Sequence, residues 1–120
     1  MSKSKQATWE KYVSAWKEVA AKGKAEALGQ SVARLCVYTD PTTMARGHEE
    51  LIAYMLAFHQ QVPGGHFVTT YFLAHHDVSI AKWNMVSGDG AIIGDGVSYG
   101  QYNEQDSLVA MTGFFEVPSQ

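Results

Sequence analysis

The sequence has little of what marks secreted, membrane-spanning or nucleic-acid-binding proteins. It holds a single cysteine, Cys36, so no internal disulfide can form and a reducing compartment is expected. No apolar run approaches the roughly 18 residues of a membrane span, and no signal-peptide pattern is visible. The net charge of −3 argues against nucleic acid or an anionic membrane as a partner. We therefore predict a cytoplasmic protein that binds a small molecule.

Motifs for metals and cofactors are also missing. The pair His75-His76 is adjacent on a predicted strand, where neighbouring side chains point to opposite faces and cannot share one ion. The segment "HEELI" has Ile52 where a zinc-protease motif needs its second histidine. The repeat "SGDGAIIGDG" (87–96) lacks the ligand spacing of a calcium loop. We predict no metal and no cofactor.

Aromatic and apolar residues are abundant. The chain has three Trp, six Tyr and five Phe, and 46% of its 120 residues are apolar. A chain of this length and composition can bury a core without disulfides or metals. We predict one domain over residues 1–120, with residues 1–6 as a flexible N-terminus.

Helical periodicity dominates the first half of the chain. "TWEKYVSAWKEVAAKGK" carries apolar residues at helical spacing, which predicts a helix with Thr8 as N-cap and Gly23 as its end. A second helix is predicted over residues 25–35, and a third over residues 47–61, closed by "PGG". The inward-facing residues predicted for the second helix are Ala27, Leu28, Val32 and Leu35.

Strand patterns dominate the second half. A short strand, residues 36–39, is predicted to end at Asp40-Pro41. After Gly65 come four segments rich in β-branched and aromatic residues, separated by turns: "HFVTTYFLAHH", "VSIAKWNMVS", "AIIGDGVSYGQY" and "LVAMTGFFEV". Helices followed by hairpin-linked strands predict an α+β fold, and glycines within the strands predict curvature. A curved antiparallel sheet packed against helices encloses a pocket.

The order of elements resembles the SnoaL-like branch of the nuclear transport factor 2-like superfamily. The resemblance spans roughly residues 7–117 and rests on "YTDP" (38–41), "GHEELIAYM" (47–55), "HHDVSIAKW" (75–83) and "MTGFFE" (111–116). The superfamily includes ketosteroid isomerase and SnoaL-like polyketide cyclases. It implies a cystatin-like α+β barrel: a cone-shaped curved antiparallel sheet packed against three N-terminal helices.

The resemblance also implies a site. Asp40 falls at the position of the general base of ketosteroid isomerase, and Trp16 and Ser98 fall at or near its two oxyanion donors. Tyr12, one helical turn before Trp16, is a further candidate donor, and His75 is a candidate proton shuttle. The predicted pocket walls are Tyr38, Phe58, Phe72, Trp83, Met111 and Phe114.

Two functions remain open at this point. One is an isomerase, cyclase or dehydratase that acts on a small hydrophobic carbonyl compound by acid/base chemistry. The other is a non-catalytic module that binds a small ligand or dimerises, in which Asp40 serves only to start a turn before Pro41. In either case we predict a homodimer, because the outer sheet face is expected to expose Val68, Phe72, Ile80 and Phe115.

Overall fold

The protein, seen in a computed structural model that describes residues 4–117, is built from three helices and six strands. The helices are α1 Lys5–Lys17, α2 Ala21–Gly29 and α3 Gly47–Gln61. The strands are β1 Val32–Asp40, β2 Thr43–Arg46, β3 His66–His75, β4 Val78–Val86, β5 Ile92–Tyr102 and β6 Leu108–Phe114. None of the described helices is long and apolar enough to cross a membrane.

All six strands form one curved sheet in the order β2-β1-β6-β5-β4-β3. Neighbouring strands are antiparallel except β1 and β6, which run parallel. Register shifts interrupt four of the five pairings, as expected for a sheet that bends around a core. The predicted α+β fold with a curved sheet and three helices is confirmed.

Helix α1 begins earlier than the sequence pattern predicted. Its N-cap is Ser4, whose Oγ accepts a hydrogen bond from the Ala7 N–H over 3.0 Å. Thr8 lies inside the helix and is fully buried, so the prediction that it caps the helix is wrong. The helix ends at Lys17, and Gly23 belongs to α2.

The structure describes part of the predicted flexible N-terminus, residues 1–6. Residues 1–3 lie outside the described residues. Lys5 and Gln6 already belong to α1, and Lys5 Nζ pairs with Asp106 Oδ1 over 2.9 Å, which ties the helix start to the β5–β6 turn. The flexibility of residues 1–6 stays a prediction.

The predicted helix over residues 25–35 is wrong in its second half. Helix α2 ends at Gly29, a turn follows, and β1 has begun by Val32. Leu35 is 90% exposed, whereas Cys36 and Tyr38 are buried, which is the alternation of a half-buried strand. The strand is longer than predicted, and it turns at Asp40-Pro41 into β2, a strand that the sequence pattern did not reveal.

Helix α3 has the predicted bounds, residues 47–61. Gly47 opens it with a φ of 78°, a backbone conformation that suits glycine. Leu51 and Met55 are fully buried where the helix packs on β1. Tyr54 and Phe58, on the same helical face, are partly buried and remain available to a cavity.

The apolar side chains are distributed over the two faces of the sheet differently from the prediction. Val68 and Ile80 are exposed on the outer face as expected, at 46% and 43%. Phe72 packs against the core, opposite the buried Ala81, and Phe115 lines the interior cavity. The outer face is instead completed by other apolar side chains: Met44, Tyr71, Leu73, Tyr99 and Phe114.

Candidate active site

A cavity opens between α1, α3 and the inner face of the sheet. Its volume is about 80 Å³. A cavity needs roughly 10–15 Å³ to hold one water, so this cavity suits a molecule of about one ring. The lining is mostly aromatic: Trp9, Tyr12, Val13, Trp16, Tyr38, Asp40, Tyr54, Phe58, Phe67, Trp83, Met85, Ser98, Gly113 and Phe115.

Asp40 is the one carboxylate in the described lining, and its two oxygens have different partners. Oδ1 accepts hydrogen bonds from the backbone N–H of Thr42 and Thr43 over 2.8 and 3.1 Å, and from the Thr42 hydroxyl over 3.0 Å. These bonds form the turn between β1 and β2. Oδ2 accepts from two tyrosine hydroxyls instead, so the residue both starts a turn and serves the pocket.

The two tyrosines are Tyr38 and Tyr54. Tyr38 Oη donates to Asp40 Oδ2 over 2.6 Å, and Tyr54 Oη donates over 2.8 Å. Burial is the main cause that raises both phenol pKa values, to about 12 for Tyr54 and further for Tyr38. Both hydroxyls therefore keep their protons at neutral pH and act as donors.

Tyr54 also connects the carboxylate to the rim of the pocket. Its Oη lies 2.9 Å from Thr42 Oγ1, which itself bonds Asp40 Oδ1. Tyr54 is only partly buried, whereas Tyr38 is buried with 8% exposure. Tyr54 is thus the more exposed of the two donors to Asp40.

Helix α1 supplies Tyr12 and Trp16 to the opposite wall. The Trp16 side chain hydrogen-bonds Tyr12, and burial raises the Tyr12 pKa, with a further contribution from the nearby Asp40 charge. The Trp16 ring packs against Tyr38, Tyr54, Phe58 and Phe67 at centroid distances of 5.3 to 6.0 Å. These contacts make an aromatic wall on one side of the cavity.

Strands β4 and β5 supply one further polar pair. The Trp83 Nε1–H donates to Ser98 Oγ over 3.0 Å. Ser98 lies opposite Ala81 on one side and Gly113 on the other, so small neighbours leave its hydroxyl open to the cavity. The site therefore joins one carboxylate with several neutral donors in an aromatic enclosure.

Comparisons with known proteins identify the family of the chain. The family model for the SnoaL-like domain matches residues 9–116. The chain belongs to the SnoaL-like family. No curated protein matches the sequence.

Solved structures show how far the fold of this SnoaL-like domain is shared. A proposed isomerase of the SnoaL-like family from Agrobacterium tumefaciens superposes with a TM-score of 0.85 at 24% identity, covering 93% of this chain and 97% of that one. A proposed SnoaL-like polyketide cyclase from Jannaschia sp. gives 0.71 at 12% identity, covering 92% and 86%. At such identities the likeness establishes the fold alone.

Most of the predicted site residues of the SnoaL-like domain meet in this cavity. They are Asp40, Tyr12, Trp16 and Ser98 among the predicted catalytic residues, and Tyr38, Phe58 and Trp83 among the predicted walls. His75 does not join them. It is exposed at the far end of β3, where its Nδ1 lies 3.1 Å from His76 Nδ1.

Three predicted wall residues also lie elsewhere. Met111 is buried in the core, and Phe72 packs against the core. Neither residue lines the cavity. Phe114 is 55% exposed, and its neighbour Phe115 takes the inner position. Neighbouring residues of a strand point to opposite faces, so an error of one residue at the end of β6 exchanges the inner and outer side chains. This explains why Phe114 was predicted as a wall residue in place of Phe115.

Several lining residues were missed by the sequence reasoning. Trp9 was not among the predicted site residues, although it lies on the same stripe of α1 as Tyr12 and also lines the cavity. Met85 faces inward two residues after Trp83, as strand alternation requires, and this signal was available. No sequence pattern indicated Gly113 as a lining residue, because a residue without a side chain can be placed in a pocket wall only once the fold is known.

No metal centre is found in the described part of the chain. Among residues 4–117, no group of three or more His, Cys, Asp or Glu side chains is close enough to hold an ion. Cys36 is buried and its thiol pKa is raised by burial, so it stays a neutral packing residue.

Proposed function

We propose that this SnoaL-like domain is an enzyme that moves a proton on a carbon next to the carbonyl of a small, apolar compound. Asp40 is the general base. The observation that carries the proposal is that its Oδ1 is held by the β1–β2 turn while its Oδ2 faces an aromatic cavity with hydroxyl donors around it. A fixed carboxylate in a dry pocket is suited to proton transfer.

The chemistry follows from these positions. Asp40 Oδ2 takes the proton from the carbon, and the electron pair of the broken C–H bond forms an enolate whose charge lies on the carbonyl oxygen. Ser98 in the cavity wall, and Tyr54 once its hydroxyl turns from Asp40 to the ligand oxygen, donate hydrogen bonds that stabilise that charge. Asp40 then returns the proton to the same or a conjugated carbon, so the reaction needs no electron acceptor.

Tyr54 has to move in this mechanism. Oδ2 already accepts two hydrogen bonds, and a lone pair must be exposed before it can accept a proton. Tyr54 is the less buried of the two donors and has Thr42 as a second partner. We propose that it shifts to Thr42 or to the ligand oxygen when substrate enters.

The proposal is tested by hydrogen exchange at carbon. Wild-type protein in D2O is incubated with cyclohexanone, acetophenone or propiophenone, and loss of the α-proton signal is followed by NMR. We expect faster exchange than buffer of equal carboxylate content gives, and loss of that excess in Asp40→Asn, whose side-chain oxygen still closes the turn. Asp77→Asn, at an exposed turn far from the cavity, is the matched control and should exchange as wild type. Equal rates for Asp40→Asn and wild type would contradict the base role.

A second candidate function is ligand binding without turnover. It is favoured by the five donor groups that surround Asp40, because such a carboxylate is already satisfied. In that case the three ketones bind, as seen by thermal shift, but no α-exchange above buffer is measured.

We also propose that the chain forms a homodimer through the outer face of the sheet. Met44, Thr39, Thr112, Tyr99, Ile80 and Leu73 form one cross-strand row over all six strands. Its four large apolar members are 40–55% exposed in the single chain. Tyr99, Ile80 and Leu73 are adjacent in this row, and an exposed apolar patch on a sheet face is typical of an interaction surface.

A further inference from the structure

A second concavity lies beside the cavity, along the seam between α1 and β3. This α1–β3 groove has a volume of about 300 Å³, compared with about 80 Å³ for the cavity. Strand β3 is an edge strand of the sheet, so side chains from both of its faces can border the groove. The residues that line the groove are Glu10, Val13, Ser14, Lys17, His66, Phe67, Val68 and Thr69.

The groove and the cavity share two wall residues, Val13 and Phe67. Both are only partly buried, and Phe67 packs edge-on against Trp16 of the cavity wall at a centroid distance of 5.3 Å. The two spaces are therefore separated by side chains alone. A molecule whose ring lies in the cavity needs only a short side chain to reach the groove.

The charged residues of the groove lie at opposite ends. Glu10 and Lys17 are seven residues apart on α1, which is about 10 Å along the helix axis. The contact between Phe67 and Trp16 places the start of β3 beside the last turn of α1. His66 therefore lies at the Lys17 end, so this end of the groove is basic and the acid is at the other end.

Neither basic side chain is neutralised by the described part of the chain. Lys17 is exposed, and its ammonium group has no ion-pair or hydrogen-bond partner there. The carboxylate of the adjacent Glu18 lies against Gly23 of α2 instead. His66 donates its Nδ1–H to the Gly64 carbonyl over 3.2 Å, which leaves Nε2 without a partner in the described residues. The basic end of the groove is therefore open to an anion.

We propose that the α1–β3 groove binds a carboxylate side chain of the ligand whose carbonyl-bearing ring occupies the cavity. Lys17 pairs with the carboxylate, and the side chain of the ligand crosses the wall at Val13 and Phe67. The inference rests on the proposed function and narrows its substrate class to keto acids that are apolar only in the part that the cavity encloses.

The position of the carboxylate follows from the cost of burying charge. None of the described side chains that line the cavity is a lysine, arginine or histidine, so a carboxylate there would lose its hydration without gaining a counter-charge. In the groove it stays partly hydrated beside Lys17. One unpaired ammonium group also matches the single negative charge of a carboxylate.

Titration calorimetry with two matched ketones tests the proposal. The compound β-benzoylpropionate carries a phenyl ketone and a carboxylate, and β-benzoylpropionamide is its uncharged counterpart. We expect wild type to bind the carboxylate about two- to fivefold more tightly than the amide, as an exposed ion pair allows. Lys17→Gln should bind both compounds with the wild-type affinity for the amide. Lys11→Gln removes an exposed lysine of α1 that does not line the groove, so as the matched control it should keep the preference.

Histidine NMR signals locate the carboxylate. We expect the Cε1–H signal of His66 to shift with β-benzoylpropionate and less with the amide, while the signal of His75, at the far end of β3, stays in place. Equal affinity of wild type for the two compounds would overturn the proposal. It would also be overturned by an equal loss of preference in Lys17→Gln and Lys11→Gln, or if neither compound binds wild type at millimolar concentration.

The groove and the proposed function fail in different ways. If the preference for the carboxylate depends on Lys17 but Asp40→Asn exchanges α-protons as fast as wild type, the groove site stands and the catalytic proposal does not. If α-exchange depends on Asp40 while wild type binds the carboxylate and the amide equally, the base stands and the groove site is wrong.

Discussion

Tyr54 donates its hydroxyl hydrogen to Oδ2 of Asp40 over 2.8 Å, while the same hydroxyl lies 2.9 Å from Thr42 Oγ1. The carboxylate that the mechanism needs as a base is thus covered by a donor with an alternative partner. This arrangement is compatible with both interpretations of Asp40: its turn bonds hold Oδ1, and in the proposed mechanism Tyr54 moves away from Oδ2.

Removing that donor should lower the stability of the fold. In Tyr54→Phe the Asp40 carboxylate loses one hydrogen bond, and such bonds to charged groups are worth about 1.5–3 kcal/mol. We expect the free energy of unfolding, measured in urea at neutral pH, to fall by about that amount. Tyr71→Phe, an exposed tyrosine on the outer face, should leave it unchanged.

The buried Lys24 should make the free energy of unfolding depend on pH in the alkaline range. Its ammonium group is fully buried, donates to the Ala15 and Trp16 carbonyls at the end of α1, and has its pKa lowered by burial to about 8. Between pH 8 and 10 the unfolded chain binds more protons at this residue than the folded protein does. Stability should therefore rise with pH in this window, on the order of 1–3 kcal/mol.

Urea unfolding at several pH values measures this dependence, and Lys24→Met should remove the rise. Above about pH 10 the trend should reverse, because burial raises the pKa values of Tyr12, Tyr38 and Tyr54 above that of an unfolded tyrosine. There the unfolded chain loses protons first and is favoured. A flat profile in wild type would show that Lys24 is not buried as described.

Substitution of two leucines distinguishes the observed boundary between α2 and β1 from the helix predicted over residues 25–35. Leu28 is fully buried at the end of α2, whereas Leu35 on β1 is 90% exposed. Leu28→Ala should destabilise the fold by about 2–5 kcal/mol, and Leu35→Ala should cost less than about 0.5 kcal/mol. Both are measured by urea unfolding. Equal losses would support the helix over residues 25–35 that the structure replaces.

The proposed dimer is tested by sedimentation equilibrium at micromolar concentration. Ile80 lies between Tyr99 and Leu73 in the outer row, so Ile80→Lys should give a monomer because it places a charge in an apolar contact. Val19→Lys introduces the same charge at a residue that is 78% exposed and lies between α1 and α2, and it should stay dimeric. A monomeric wild type would refute the dimer.

The fold was largely predictable because its signals are periodic. Helix α3 and the four C-terminal strands have apolar patterns of the right period, bounded by glycine, proline or polar turns, and their positions agree with the structure. The helix predicted over residues 25–35 was wrong after Gly29 because Val32, Ala33 and Leu35 also fit a helical pattern locally. Strand pairing of Val32 to Asp40 with β2 and β6 is a long-range contact that no local pattern reports.

The position of the carboxylate in the site, Asp40, was predictable from the sequence, and the residues around it were less so. Asp40 could be placed because "YTDP" fixes it at the end of a buried strand. His75 was misplaced because a hairpin turn at His76, with a φ of 50°, carries the histidines to an exposed end of the sheet. The tyrosine partners of Asp40 come from a strand and a helix, and only the packing of α3 on β1 brings them together.

The central claim is that the Asp40 carboxylate itself accepts the proton, and chemical rescue tests it most directly. Asp40→Ala opens the space of the carboxylate, and formate is small enough to enter it. We expect α-exchange of the ketone on which wild type is fastest to fall by at least about 100-fold in Asp40→Ala. Added formate should restore it in a saturable way, with no effect on wild type. Exchange by Asp40→Ala at the wild-type rate without formate would contradict the account.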